Sequence, residues 1–309
     1  MPESFKINHI FSIAKTTVKD WLDDEPFYLS AGVAYYSLLA LPGLLVLIIR
    51  LVGTFYKKAK VKTEITDQVS QILGSDVAQQ VEIIIKQASE APDSWVATII
   101  SIATLVFGAT GVFFALQKSL NKVWDVKISP KSGIMHTVKS RAIGLGLIVV
   151  VGFLLLVFLL ISTILTVISN WIEANLPDYL FYSIYLINFI LSTGIFTLLF
   201  AIIYKVLPDV IIGWKSLWVG SVVTALLFNL GKYLIGIYFG NADPGSSYGI
   251  AGSIVVLLLW VSYSCLLIFF GAEFTQVYAR RYGQPIKPAK HAVKIKLVEY
   301  EEEKGENAE

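Results

Sequence analysis

Residues 249–274 read GIAGSIVVLLLWVSYSCLLIFFGAEF, an apolar run whose one charged side chain is Glu273 near its end. A helix needs roughly 20 apolar residues to cross a hydrocarbon core of about 30 Å. The composition of the whole chain agrees, since only 16% of its residues are charged, against about 25% in soluble domains. The stretch therefore predicts a transmembrane helix.

Five further blocks of similar length and composition precede this one, at residues 27–52, 95–116, 142–169, 182–204 and 217–239. The alternation of apolar and polar residues over about ten positions that marks a membrane β-strand does not recur along the sequence. The sequence thus predicts an all-α, polytopic membrane protein, in which residues 27–279 form a domain of six transmembrane helices.

Three polar segments flank or interrupt this domain. Residues 1–26 form an N-terminal segment with amphipathic spacing, and residues 280–309 form a charged tail of a kind that is most often disordered. Residues 53–94 carry apolar side chains at three- and four-residue steps, namely Ile65, Val69, Ile72, Val77, Val81, Ile84, Ile85 and Ala88. This pattern predicts one or two amphipathic helices in the first external loop that do not cross the membrane.

The distribution of Lys and Arg predicts the orientation. With six spans both termini lie on one side, and that side carries 18 of the 25 Lys and Arg residues. The opposite side carries 5, all within residues 53–94. Because cytoplasmic loops are enriched in Lys and Arg, we expect both termini and residues 118–141 to be cytoplasmic and residues 53–94 to be external.

Enzymatic chemistry finds little support in the sequence. Cys265 is the one cysteine, and the three histidines lie far apart without metal-ligand spacing. Residues 245–249 match the G-x-S-x-G pattern of hydrolases, but no predicted strand precedes them and no histidine lies on the same predicted side. We therefore expect no enzyme, no catalytic residues, no metal and no cofactor, and interpret residues 245–249 as a turn.

Ionisable and amide side chains within the predicted spans are the best candidates for a functional site. Such groups are costly in a bilayer and usually face a cavity, a partner or the bundle interior. The candidates for substrate binding are Lys232, Arg50, Asn229, Tyr233, Asn188 and Glu273. Lys232 and Arg50 could instead extend to the outer interface, Glu273 could pair with a loop lysine, and the two asparagines could join helices by hydrogen bonds.

Several short motifs occur in order along the chain: Ala34–Leu38 with Pro42, Gly111–Leu116, Leu120-Asn121 with Trp124, Tyr204–Asp209, Gly220, Tyr248-Gly249, Leu258–Trp260 and Gly271–Glu273. Together they resemble the YihY/BrkB family, which also carries the older label ribonuclease BN. The resemblance implies a bacterial cytoplasmic-membrane (inner-membrane) protein with six helices and cytoplasmic termini. It implies no defined activity: transport or envelope maintenance is the usual assignment, and the ribonuclease label is generally regarded as a misassignment.

These observations favour a transport-type protein with a polar cavity between helices, in which Lys232 attracts an anionic solute or a lipid headgroup. The alternative is a non-catalytic envelope scaffold, in which the same polar groups only tie helices together. A ribonuclease is disfavoured because the cytoplasmic loops contain no cluster of acids for metal ions. The expected partners are membrane lipids and an anionic solute or lipid, not nucleic acid, and the sequence leaves a homo-oligomer open.

Overall fold

The computed structural model describes residues 7–53, 95–129, 179–242 and 252–295, with isolated helical positions between 63 and 86 and at 146. The helices in the four continuous ranges are α1 (Ile7–Asp23), α2 (Pro26–Gly53), α3 (Trp95–Val123), α4 (Tyr179–Val206), α5 (Trp214–Ala242) and α6 (Gly252–Tyr282). The strands there are β1 (Val126–Ile128), β2 (Val210–Ile211), β3 (Lys287–Pro288) and β4 (Ala292–Lys294).

Four described helices are long and apolar enough to cross a membrane, within Ile99–Val123, Phe189–Val206, Trp214–Phe239 and Ile254–Tyr282. They lie in α3, α4, α5 and α6 and correspond to the second, fourth, fifth and sixth predicted spans. The first predicted span corresponds to α2, whose apolar part includes Pro26–Leu41. The predicted span at residues 142–169 lies outside the described residues, apart from helical position 146. The chain is thus a helical membrane protein with several apolar helices.

A sharp corner joins α1 to α2. Glu25 adopts a left-handed backbone conformation with φ of 56°, which commonly ends a helix, and its N–H donates to the carbonyl oxygen of Leu22 at 3.2 Å. Pro26 then begins α2, where its missing N–H costs nothing because the first N–H groups of a helix have no intrahelical partner. The corner directs α1 across the end of the bundle towards α6.

Helices α2 and α3, α4 and α5, and α5 and α6 pack as antiparallel pairs, and small residues allow a close approach in two of these pairs. Between α2 and α3, a Cβ added at Gly108 would meet the backbone of Ala40. Between α4 and α5, the rings of Phe196 and Phe228 lie 4.9 Å apart. Between α5 and α6, a Cβ added at Gly231 would meet the hydroxyl of Tyr263. These contacts place the end of α4 and the end of α6 beside the start of α5, and a hydrogen bond from Trp124, just after α3, to Ala272 of α6 brings the end of α3 to the same place.

We call this end of the bundle, where Glu25, Asn121, Asp209 and Arg280 lie, the polar end. Two short antiparallel ladders close it. Strand β1 pairs with β4, with Val126 opposite Lys294, and strand β2 pairs with β3. Both ladders join the segment after α6 to connections between earlier helices.

The structure differs from the disorder expected throughout residues 280–309. Helix α6 continues to Tyr282, and residues 287–294 form β3 and β4. The physical reason is that β1 and β2 present backbone hydrogen-bonding groups at the polar end, and these strands satisfy them. Residues 296–309 lie outside the described part of the chain.

Within the predicted external loop, positions 78, 79, 81–83, 85 and 86 are helical. Their buried side chains stand three and four residues apart, at Ala78, Val81 and Ile85, whereas the exposed polar ones are Gln79, Glu82 and Lys86. This burial is what an amphipathic helix would show. The number of such helices and their position relative to the membrane stay predictions.

Candidate functional site at the polar end of the bundle

Motifs that lie far apart in sequence meet at the polar end. The indole N–H of Trp124 donates to the carbonyl oxygen of Ala272 at 3.0 Å, and its ring packs edge-on against Tyr204 at 5.9 Å. The Tyr204 hydroxyl donates to the carbonyl oxygen of Ile268 at 2.7 Å and lies 3.0 Å from the hydroxyl of Thr224. Helices α3, α4 and α5 are therefore tied to the same two turns of α6, and these turns position Glu273.

The carboxylate of Asp209 forms a buried hydrogen-bond network just after α4. Its Oδ2 accepts from Asn121 Nδ2 at 2.8 Å and from Gln117 Nε2 at 3.2 Å, both on α3. Its Oδ1 lies 2.7 Å from Nε2 of His291, which belongs to the turn before β4. The Asp209 N–H also donates to Asn121 Oδ1 at 2.8 Å. Every oxygen of this carboxylate is used within the protein, so Asp209 acts as a structural link between three segments.

Glu273 is in a different situation. Its side chain is 1% exposed, and neither carboxylate oxygen has a hydrogen-bond partner among the residues that the structure describes. The charged groups in its electrostatic range are Asp24, Arg280, Asp20 and Asp125. An ionised carboxylate buried without a partner costs several kcal/mol. The position therefore favours the neutral carboxylic acid.

Acidic side chains surround Glu273 on the side towards solvent. Arg280 engages two of them, with Nη1 at 3.2 Å from Asp20 Oδ2 and Nη2 at 3.5 Å from Asp125 Oδ2. Burial, together with the charge of Asp125, raises the pKa of the half-buried Asp24 to about 7. The nearby exposed Glu25 behaves oppositely, since a hydrogen bond from Lys122 at 2.9 Å lowers its pKa. Asp24 is thus an acid that can gain or lose a proton near neutral pH.

A cleft of about 440 Å³ opens beside this cluster. It is lined by charged, amide and apolar side chains from the end of α3, from β1 and from the segments beside them, including Asp24, Gln117, Lys118, Asn121, Lys122 and Asp125. Asp24 and Asp125 belong both to the lining of the cleft and to the surroundings of Glu273. Two acids of the cleft lining, Asp24 and Asp125, therefore lie within electrostatic range of the buried carboxyl group.

The candidates on α5 lie elsewhere. Lys232 is half-buried, next to the buried Gly231 that faces Tyr263 of α6. Tyr263 precedes Glu273 by ten residues, which is about 15 Å along a helix at 1.5 Å per residue. Lys232 and Glu273 consequently do not belong to one site.

The other predicted site residues separate further. The amide of Asn229 donates to the hydroxyl of Thr193 on α4 at 3.0 Å, and Tyr233 is 66% exposed. Arg50 and Asn188 lie in α2 and α4, but their side chains are outside the described part of the structure. A role for these residues in substrate binding stays a prediction.

The sequence did not single out Asp24, a charged neighbour of Glu273, or Thr17 and Trp21, two residues of α1 with buried polar atoms. The run Asp23-Asp24-Glu25-Pro26 read only as the end of a polar segment, since nothing in it distinguishes a half-buried acid from an exposed one. Among the described residues, no group of three or more His, Cys, Asp or Glu side chains is placed to hold a metal ion. Cys265 is buried in α6.

Apolar helices tied together by buried polar groups at one end define a polytopic helical membrane protein. The family model described as "Virulence factor BrkB" matches residues 17–296, so the chain belongs to the BrkB family, as the motifs predict. A "UPF0761 membrane protein" of Tolumonas auensis is 27% identical over 267 residues, covering 82% of this chain and 81% of the relative. A relative of the same description from Alteromonas mediterranea is 25% identical over 278 residues, covering 87% and 88%. No solved structure matches the chain.

Proposed function

We propose that this chain is a non-catalytic, transport-type protein of the bacterial cytoplasmic membrane. In this proposal six helices cross the bilayer, and Lys232 binds the anionic part of a solute or of a lipid headgroup. The observation that carries the proposal is the position of Lys232, a cationic side chain half-buried inside an apolar helix. Ionisable groups at membrane depth are costly and usually serve a pathway, a cavity or a partner.

The direction of the helices supports six spans. Helix α3 ends at the polar end, and α4 also ends there, since Asn121 of α3 bonds to Asp209 just after α4. Because α4 begins at the opposite end, we infer that the chain between α3 and α4 crosses the bundle once more. The apolar block at residues 142–169 is long enough for that return.

The orientation follows from charge. In the six-span arrangement the polar end carries both termini and 18 of the 25 Lys and Arg residues, against 5 in residues 53–94. The positive-inside rule then places the polar end in the cytoplasm. Residues 53–94, with their amphipathic helix or helices, lie outside.

A test of the anion site uses the full chain in lipid nanodiscs. Binding of inorganic phosphate is measured in neutral nanodiscs, and retention of phosphatidylglycerol is measured during delipidation, so that the two arms distinguish a free anion from a headgroup. Lys232→Met should weaken binding in one arm about tenfold or more, because a hydrogen bond to a charged group contributes about 1.5–3 kcal/mol. Lys232→Arg keeps the charge with different geometry and should retain part of the binding.

The matched control is Lys215→Met, which removes an exposed lysine at the other end of the same helix. Both Met variants should insert and fold as the wild type does. If Lys232→Met and Lys215→Met bind both probes as tightly as the wild type, the proposed anion site is wrong.

One observation favours the scaffold alternative. Asn229, one turn before Lys232, uses its amide to join α5 to α4 through Thr193. A bundle whose polar groups all join helices in this way would hold a shape and transport nothing. Unchanged binding in both Lys232 variants, together with loss of stability in Asn229→Leu, would support that alternative.

A further inference from the structure

Where α1 crosses α6, three buried polar groups have no hydrogen-bond partner within the described part of the chain. They are the carboxylate of Glu273, the hydroxyl of Thr17 and the indole N–H of Trp21. The way α1 is aligned along α6 places these three residues at the same height along the α6 axis. Ile13 packs in one cluster with Val277, and the ring of Trp21 lies 5.9 Å from that of Phe270. Thr17, midway between Ile13 and Trp21, therefore faces α6 near Glu273.

This arrangement is unusual because it contains donors and an acceptor that do not bond to each other. Buried polar groups in proteins nearly always find partners, so an unpaired set calls for an explanation. A neutral Glu273 would gain less from hydrogen bonds donated by Thr17 and Trp21 than an ionised one, because hydrogen bonds to a charged group are about twice as strong. The pair of donors is thus suited to the charged form of a group whose burial favours the neutral form.

The charged groups around Glu273 come from each element that packs against it. Helix α1 contributes Asp20, the corner after it contributes Asp24, the turn after α3 contributes Asp125, and α6 contributes Arg280. Arg280 is already paired with Asp20 and Asp125. Helix α2 carries one charged residue, near its far end, and α5 carries an exposed Lys215 and the distant Lys232. No described cation is committed to Glu273.

We propose that Glu273 is a reversible proton-binding site, loaded from the cleft at the polar end with Asp24 as the relay. On unloading, the proton leaves the Glu273 carboxyl group, passes to the Asp24 carboxylate and from there to water in the cleft. The negative charge left on Glu273 accepts hydrogen bonds from Thr17 and Trp21, which draws α1 onto α6. Loading reverses each step. The site is independent of the anion proposed to bind near Lys232.

Infrared spectroscopy of the full chain in nanodiscs tests the proposal directly. Exposed glutamates ionise near pH 4 to 5, so at pH 7 a protonated-glutamate band is expected from Glu273. Glutamate-specific carbon-13 labelling should move this band, which separates it from that of Asp24. Glu273→Gln should remove it. The control Glu25→Gln, which alters an exposed glutamate at the same end, should leave it unchanged. Absence of the band in the wild type at pH 7, or its survival in Glu273→Gln, overturns the proposal.

A second variant covers the case in which Glu273→Gln does not fold. Trp21→Phe keeps an aromatic ring against Phe270 but removes one donor available to the ionised carboxylate. Since a hydrogen bond to a charged group is worth about 1.5–3 kcal/mol, the glutamate band should persist to a pH about one unit higher than in the wild type. A band that titrates at the same or a lower pH contradicts the role given to α1.

Discussion

Asp209 makes the clearest prediction about stability. Asp209→Ala removes the acceptor for two amide groups on α3, Gln117 and Asn121, which are 7% and 6% exposed. Leaving a buried donor without a partner costs about 1–3 kcal/mol. The loss for the two amides is therefore about 2–6 kcal/mol, with the larger share from Asn121 because Gln117 has a further interaction, and with a smaller addition from the half-exposed His291. Asp209→Asn keeps one oxygen and should cost about 1–2 kcal/mol, mainly through the lost charge.

The single cysteine provides the assay. Cys265 is 4% exposed within α6, so a fluorogenic maleimide should react with it only as the bundle opens. In a chain of this size 1 kcal/mol corresponds to about 2 °C in the unfolding midpoint. The midpoint should therefore fall by about 4–12 °C in Asp209→Ala and by about 2–4 °C in Asp209→Asn. Asp23→Ala, which removes an exposed acid of the same type, should change it by less than about 1 °C.

A double variant checks the reasoning. Asn121→Ala should cost less than Asp209→Ala, because it leaves the contacts of Asp209 with Gln117 and His291 in place. The two together should cost less than their sum, because both remove the hydrogen bond from Asn121 Nδ2 to Asp209 Oδ2. If Asp209→Ala unfolds at the temperature of Asp23→Ala, the buried network does not support the polar end, and the account of Asp209 as a structural link is refuted.

Three further predictions concern pH, packing and orientation. Asp24 binds its proton more tightly in the folded chain, so the free energy of unfolding should fall between pH 4 and 7. Asp24→Asn should remove this fall, so the variant should be about 1–2 kcal/mol more stable than the wild type at pH 8 and equally stable near pH 3. The full shift of the Asp24 pKa to about 7 would correspond to about 4 kcal/mol, and the partial exposure of the side chain reduces this value. Gly271→Ala places a Cβ against the hydroxyl of Thr224 on α5 and should lower the free energy of unfolding by about 1–3 kcal/mol. The control Gly194→Ala, where the Cβ meets open space, should not lower it. Equal unfolding midpoints for the two variants would refute the close approach of α5 and α6 at Gly271. In a Cys265→Ser background, Ser75→Cys should react with an impermeant maleimide from outside, and reaction from the cytoplasmic side alone would reverse the orientation.

The spans were predictable because the hydrophobic requirement of the bilayer is local. Any window of about 20 residues reveals it, so the blocks at 95–116, 182–204 and 217–239 correspond to α3, α4 and α5. Helix ends were less predictable, because a helix continues beyond its apolar block when the polar side chains that follow find partners on neighbouring helices. Arg280 and Arg281 extend α6 in this way, since Arg280 pairs with Asp20 and Arg281 reaches Ser12 of α1.

The site was predictable only in part. Glu273 could be singled out from the sequence because it is the one charged residue in an apolar block, but its role in substrate binding stays a prediction. The network of Asp209 could not be derived, because Asn121 and Asp209 are separated by 88 residues and only the packing of α3 against α4 brings them together. The position of Thr17 and Trp21 near Glu273 could not be derived either, because it depends on the turn at Glu25 that directs α1 towards α6.

The two strand ladders at the polar end can form only after the last part of the chain has been synthesised. About 170 residues separate β1 from its partner β4, and ribosomes add about 5–20 residues per second. The backbone groups of β1 therefore wait for about ten to thirty seconds before their partners are synthesised, and Asp209 meanwhile has the two amides of α3 but not His291. A product truncated before residue 287 would enter the membrane with this end open, where quality-control proteases could distinguish it from the finished chain.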